Sequence, residues 1–416
     1  MKLGWHGGFL GLFLMGVAGA CSSSTTRQVF DDPVDASAFI DTAAPPAEET
    51  GSLFQDARPQ EDLSPKGNWS GRVYTPAGDI PIAGALVYLA QKRPDPIPDG
   101  NFCDKCVELD TTVPKTLSKA DGSFVVTANR SGPQFLVVQK GQFRRVVAID
   151  VKGADVAVAK ADTTFPRRKD AASGDMVPTT AVVDTNYDDI EQALTRLGIP
   201  ITDTIPQAQR VAFLRDATKL AKYNIIFLPC GTCATSGPGG FSGPDDALDP
   251  AIQRNLKEWV QKGGKLYVTD FEYSFINETW KNYVTFTPNK GCDSNSYNTP
   301  ATIADPGLKD WLDGQNHRSV TFEEAWIKVD RVNEVDVPDG AGGTKKLTPK
   351  VWAFGNDGTK NRPMTLSFED SCGRVLYSAY HTEGEGGATA LLPQEKALVY
   401  VLFEVSTCLI DPIIPK

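Results

Sequence analysis

The chain is short of the residues from which most catalytic and metal centres are assembled. Of its three histidines, only His317 and His381 lie beyond the first ten residues. Basic residues are also in deficit, with 42 Lys and Arg against 52 Asp and Glu and a formal net charge of −10. That balance excludes a nucleic-acid partner, because neutralising phosphates takes clustered cations. After the first 21 residues no segment is long and apolar enough to span a bilayer. The glycine-rich loop from Gly231 to Gly243 has neither the Lys-Ser/Thr of a P-loop nor the spacing of a dinucleotide fingerprint. It supports close approach to a ligand and no more.

What the chain does contain is ordinary for a globular protein, with 41% hydrophobic and 23% charged residues. Its 416 residues favour two or three domains. Residues 1–20 read as a signal peptide. Lys2 gives a positive start, Phe9, Leu10, Leu12, Phe13, Leu14, Met15 and Val17 form an apolar core, and Ala18-Gly-Ala-Cys21 closes it with small residues. This ending resembles a bacterial lipobox, with Ala18 where Leu is usual. The resemblance implies cleavage before Cys21, lipidation of its thiol and a membrane anchor. Plain secretion, with cleavage at an Ala-x-Ala-like site, is the alternative. Ser22 in place of Asp implies sorting to the outer membrane of a Gram-negative envelope. Residues 21–66 are Ser/Thr-, Pro- and acid-rich with few large apolar groups, which predicts a disordered tether.

Residues 67–165 are patterned as β structure, in short runs at 69–74, 84–89, 123–127, 134–138 and 143–149. Such spacing predicts a small all-β sandwich of transthyretin or immunoglobulin type. Gly71-Arg-Val, Pro81-Ile-Ala-Gly-Ala-Leu-Val87 and Ser118-Lys-Ala-Asp-Gly-Ser-Phe124 together resemble a carboxypeptidase regulatory-like domain. The resemblance implies a non-catalytic module, of a kind sometimes classed with carbohydrate-binding-like folds; a structural spacer is the leading reading, and binding of a glycan or a protein by its loops is the alternative. A carboxypeptidase zinc site cannot be built from His317 and His381. Within this segment Cys103 and Cys106 form a CxxC, for which a local disulfide, half a zinc site or a redox pair are open; an oxidising envelope favours the disulfide.

Residues 166–178 read as a linker, and residues 179–416 as an α/β domain of flavodoxin-like, three-layer type. Strands are expected at 179–184, 223–230, 265–269 and 373–380, and helices at 187–197, 209–222, 250–260 and 394–405. A Gly/Asn/Asp/Pro-rich insertion at about 282–348 holds one strand at 321–329. The segment from Tyr223 to Gly231 and Tyr380-His-Thr-Glu383 resemble parts of a class I glutamine amidotransferase-like domain. The resemblance implies a nucleophile at the elbow after the strand at 265–269, with His381 as base and Glu383 as orienter. The elbow here carries Asp270 or Thr269 and not Cys, so glutaminase activity is not expected. Asp184, Cys230, Asp270, Glu272 and His381 are the candidates for a crevice at the strand ends. Asp184 as a helix cap, and Asp270 and Glu272 as paired acids at a strand exit, are the structural alternatives.

Cys230 and Cys233 are expected as a structural disulfide, with a redox pair as the alternative, and Cys372 pairs with Cys408 or Cys292. No metal or cofactor is expected. The function anticipated is binding or scaffolding at a membrane surface, toward a glycan or an envelope protein. A hydrolase using His381, Asp270 and Glu383 and a thiol-redox protein using Cys230 and Cys233 are the competing classes.

Overall fold

Two glycines decide how the central strand begins. The helix Pro250–Gln261, capped by the Asp249 carboxylate on the Ala251 amide, ends a few residues before the buried strand Lys265–Thr269. Gly263 has φ +114°, and a Cβ there would collide with the Phe102 carbonyl; a Cβ on Gly264 would enter the Trp259 indole. Both close approaches need a bare backbone. Gly263→Ala is expected to lower stability by about 1–3 kcal/mol, the range for overpacking a tight contact, read as a lower urea midpoint with an unchanged slope.

The computed structural model describes residues 63–404 except 104–108, 186, 232–233, 238–240, 244, 288–295, 339–342 and 383–390. The signal segment, Cys21, most of the tether, Cys106, Cys233, Cys292, Glu383 and Cys408 lie outside these residues. Residues 61–416 form one compact unit of mixed α/β architecture with several sheets and, among the described residues, eight α-helices.

The largest sheet has eight strands in the order Thr302–Ile303, Lys350–Asn356, Asn361–Asp370, Gly373–Ser378, Lys265–Thr269, Ile225–Leu228, Thr180–Val183 and Asp203–Ile205. The last five run parallel and the first three antiparallel. Lys265–Thr269 lies between two parallel partners, and all five of its residues are buried. Its carboxyl end therefore opens between two other strand ends.

The expected helix at 209–222 is broken in two, Arg210–Leu214 and Ala217–Leu220. Asp216 is the reason: its carboxylate accepts from the Thr218 and Lys219 amides at 3.0 and 3.2 Å and starts a new helix. Asp184 caps no helix; Asp189 caps Ile190–Leu197 through the Gln192 amide. The segment 321–329 is two strands, Thr321–Ala325 and Val329–Val332, with Glu324 at φ +54°.

The preceding β part forms a three-stranded sheet of Ser123–Thr127, Asn68–Arg72 and Val156–Ala157. Beside it is a four-stranded one of Lys115–Leu117, Leu86–Ala90, Gly132–Lys140 and Phe143–Val151. One buried apolar cluster runs from Trp69 and Phe124 through to Tyr267 and Phe403. Phe403, on the helix Pro393–Glu404, sits 5.0 Å from Phe143 and stacks on Phe165 at 6.1 Å. Trp311 donates to the Pro81 carbonyl at 2.8 Å, and Lys140 pairs with Glu404.

A disulfide also links the two parts. Cys103 bonds Cys372 with Cα atoms 5.2 Å apart, which corrects the expected pairings of Cys103 with Cys106 and of Cys372 with Cys408 or Cys292. Phe102 lies on Gly263, and the Cys372 amide reaches the Gln261 carbonyl, so the loop before Cys103 runs over the end of the helix that precedes Cys372 in space. Sequence neighbours lose to spatial neighbours here because tertiary packing sets the Cα separation that a disulfide requires.

Candidate functional site

Thr269 ends the central strand in extended conformation, and Asp270 turns sharply with φ +44° into the short turn Asp270–Glu272 and the helix Tyr273–Thr279. A non-glycine residue held there stores about 1–3 kcal/mol of strain, which persists only where surroundings over-determine it. The surroundings do so: Asp270 is 0% exposed and its carbonyl accepts from the Tyr377 hydroxyl at 3.2 Å. A strained strand-to-helix turn is the geometry that presents a nucleophile at the top of a sheet. This one presents a carboxylate.

His381 follows the strand Gly373–Ser378, and its Nε2 lies 3.4 Å from Asp270 Oδ2. Its Nδ1 lies 3.0 Å from Glu324 Oε2. Glu324 reaches the site because Ala325 forms an antiparallel bridge with Tyr380, which draws the inserted segment along the end of the sheet. The same segment packs Trp326 against Phe271, with ring centroids 6.2 Å apart. Nδ1 thus faces Glu324 and Nε2 is the atom turned to Asp270.

Asp188 completes the cluster. Its oxygens accept from Thr269 Oγ1 at 2.7 Å and from the Thr382 amide at 2.9 Å. Thr269 Oγ1 in turn accepts from the Cys230 amide at 2.7 Å, so the ends of three strands are laced together. Cys230 is a free, buried thiol, which corrects its expected place in a disulfide.

Burial dominates the electrostatics. It pushes the Asp270 carboxyl well above the usual range, helped by the charge of Asp188 and opposed by the amides of Trp326 and Ile327. It raises Asp188, opposed by His381 and the threonine hydrogen bonds. The Cys230 thiol is also driven well up, first by burial and then by the charge of Asp270. His381 Nε2 is buried without a hydrogen-bond partner among the described residues, and the buried Asp270 oxygens have no well-aligned donor, only the Trp326 and Ile327 amides that lie near them.

Of the sequence candidates, Cys230, Asp270 and His381 meet: one donor atom from each lies within 4.8 Å of the others. Glu272 leaves the turn in another direction. Its carboxylate is held by Arg210 at 2.8 and 2.5 Å, and Arg210 also binds Asp246 at 2.8 Å. Glu272 is thus a paired acid, not a crevice residue, and burial lifts its pKa to about 7 against the pull of Arg210. Asp184 is exposed and outside the site. Asp188, four residues on, is the buried acid; the cluster of three Asp residues after the strand was visible in sequence, but not which one turns inward. Glu324 occupies the orienting position expected of Glu383, and nothing in its local sequence marks it.

No protein-family model matches the chain, and no curated protein matches it. Solved structures similar to it at low identity include a putative ThuA-like protein from Bacteroides uniformis. It is 11% identical over 54% of this chain and 89% of its own, with a TM-score of 0.33. A cytoplasmic protein from Salmonella typhimurium is 14% identical over 56% of this chain and 100% of its own, with a TM-score of 0.37. A β-galactosidase from Rahnella sp. R3 is 12% identical over 59% of this chain and 34% of its own, with a TM-score of 0.31.

Proposed function

We propose that this is an outer-membrane lipoprotein, anchored through an acylated Cys21, whose folded part binds or scaffolds a glycan or an envelope protein without catalysis. The β part is read as a carboxypeptidase regulatory-like sandwich and the α/β part as a flavodoxin-like layer. The apolar segment ending in Ala18-Gly-Ala-Cys21 and the acidic, proline-rich stretch after it support the anchor and tether. The observation that carries the non-catalytic reading is the elbow itself. Where amide hydrolysis needs an accessible thiol, the chain has a carboxylate of 0% exposure, with residues 324–327 of the insertion against it.

Two measurements test the reading. The N-terminal peptide of the mature protein is expected to begin at Cys21 and carry acyl mass, and Cys21→Ser is expected to move the chain from the membrane to the soluble fraction. An unmodified Cys21 removes the anchor. The mature chain is expected to turn over neither glutamine nor model esters and amides, while co-sedimenting with isolated cell envelopes.

The hydrolase reading has one observation in its favour, the 3.4 Å approach of His381 Nε2 to Asp270 with Glu324 behind the imidazole. There His381 would act as base and Glu324 as its orienter. Turnover that is present in the wild type and abolished in His381→Gln would put this reading in place of the first. Cys230 offers the redox reading little, since a reactive thiol needs an electropositive, partly open setting and this one is buried among acids.

A further inference from the structure

We propose that Cys230, Asp270 and His381 form a binding site for one zinc-like divalent cation, with Glu324 as the carboxylate that orients the histidine ligand. The donor atoms come from three separate strand ends yet lie within 4.8 Å of one another, and all three residues are buried. Nε2 of His381 is buried with no hydrogen-bond partner among the described residues, and the buried carboxylate of Asp270 has no well-aligned donor, only the Trp326 and Ile327 amides near it. Cys230 Sγ has a long 3.9 Å contact to the Gly231 carbonyl and the Phe271 amide beside it. Buried polar atoms in native proteins are nearly always satisfied, so orphaned atoms converging on one point indicate a missing partner. The orphans here are acceptors or acids, and the partner that satisfies them is a cation.

The geometry distinguishes a ligand pair from a hydrogen bond. Charge-assisted hydrogen bonds between nitrogen and a carboxylate close to about 2.7–2.9 Å. Nε2 and Oδ2 are 3.4 Å apart. Two ligands about 2.0–2.1 Å from a tetrahedral zinc stand roughly 3.3 Å from each other. The sulfur, with a longer bond to zinc, belongs about 3.6 Å from either, inside the 4.8 Å within which the three donor atoms lie.

The supporting shell is also in place. Metal-bound histidines donate their second N–H to a carboxylate or carbonyl, and His381 Nδ1 has Glu324 at 3.0 Å. Asp188 is committed to Thr269 and Thr382, so it stands outside the ligand set and holds the Cys230 backbone through Thr269. One sulfur, one nitrogen and one oxygen suit zinc, whereas calcium and magnesium require oxygen donors. Such an ion would tie the elbow, the neighbouring strand end and the segment after the last strand together, with the insertion locked on through Glu324.

The test uses the full mature chain. Elemental analysis after purification without chelator is expected to find zinc, and the stoichiometry is expected to fall by one equivalent in Cys230→Ser. Cobalt(II) added to the metal-free chain should give a thiolate-to-cobalt charge-transfer band that is lost in Cys230→Ser. Glu324→Gln leaves all three ligands in place and is expected to weaken zinc binding about 10–100-fold with an unchanged circular dichroism spectrum. It keeps the proposal testable if a ligand variant does not fold. A chain that binds no zinc or cobalt, or stoichiometry and affinity unchanged in both Cys230→Ser and Glu324→Gln, would overturn it.

Discussion

Arg210→Met is expected to destabilise the protein by about 3–5 kcal/mol, the range for removing one partner of a buried ion pair. Arg210 opens a helix, where the dipole disfavours a cation, so helix stability does not account for its position. Its contacts do. It binds both oxygens of Glu272, which is 0% exposed, and one oxygen of Asp246, and its guanidinium lies 5.0 Å from the centre of the Phe275 ring. Without it Glu272 is left without its partner in a desolvated pocket next to the elbow, where it must stay an unpaired carboxylate or take up a proton. Urea unfolding should show the loss as a lower midpoint. Arg210→Met combined with Glu272→Gln should recover a large part of it, because the penalty comes from the uncompensated carboxylate more than from the lost attraction. A loss below about 1 kcal/mol in the single variant, the size of an exposed pair, would mean that water reaches Glu272.

Breaking the Cys103–Cys372 disulfide should cost about 2–5 kcal/mol, the upper part of the usual range, because the cross-link closes a long loop. The two cysteines are 269 residues apart in sequence. Both are exposed, so a reductant can reach the bond in the folded protein. Melting with and without dithiothreitol should separate the two forms, and Cys103→Ser with Cys372→Ser should melt with the reduced one. Equal melting temperatures would show that the bond does not form. Its formation requires an oxidising compartment.

The local elements were largely legible. The runs at 123–127 and 265–269 appear as Ser123–Thr127 and Lys265–Thr269, because alternation or continuous burial leaves its mark within a few residues. Asp249-Pro250 and Gly198 bound helices as cap chemistry requires. Asn361–Asp370 and Lys350–Asn356, which extend the sheet, escaped notice beside a long irregular insertion. The helix expected at 209–222 is two because Asp216 competes for backbone amides in a way that periodicity does not register.

The site was legible only in part. Asp270 and His381 were identified because each follows an apolar strand, where an open α/β sheet places its ligands. Their contact, and the thiol of Cys230 beside them, depend on the parallel order of three strands. Glu324 comes from an insertion 57 residues before His381 and reaches it through the Ala325–Tyr380 bridge. The disulfide partner of Cys103 was beyond any local rule.

By itself the sequence determined the order of β and α/β parts and the absence of a thiol at the elbow. These depend on composition, short-range periodicity and the identity of single residues. Only the tertiary structure decided that Asp188 and not Asp184 turns inward, that Glu324 and not a near neighbour orients His381, and that Glu272 belongs to Arg210. Those choices rest on contacts between residues tens to hundreds of positions apart. Burial then determines their chemistry, since an acid removed from water must find a proton, a cation or a hydrogen-bond donor among whatever the fold has brought beside it.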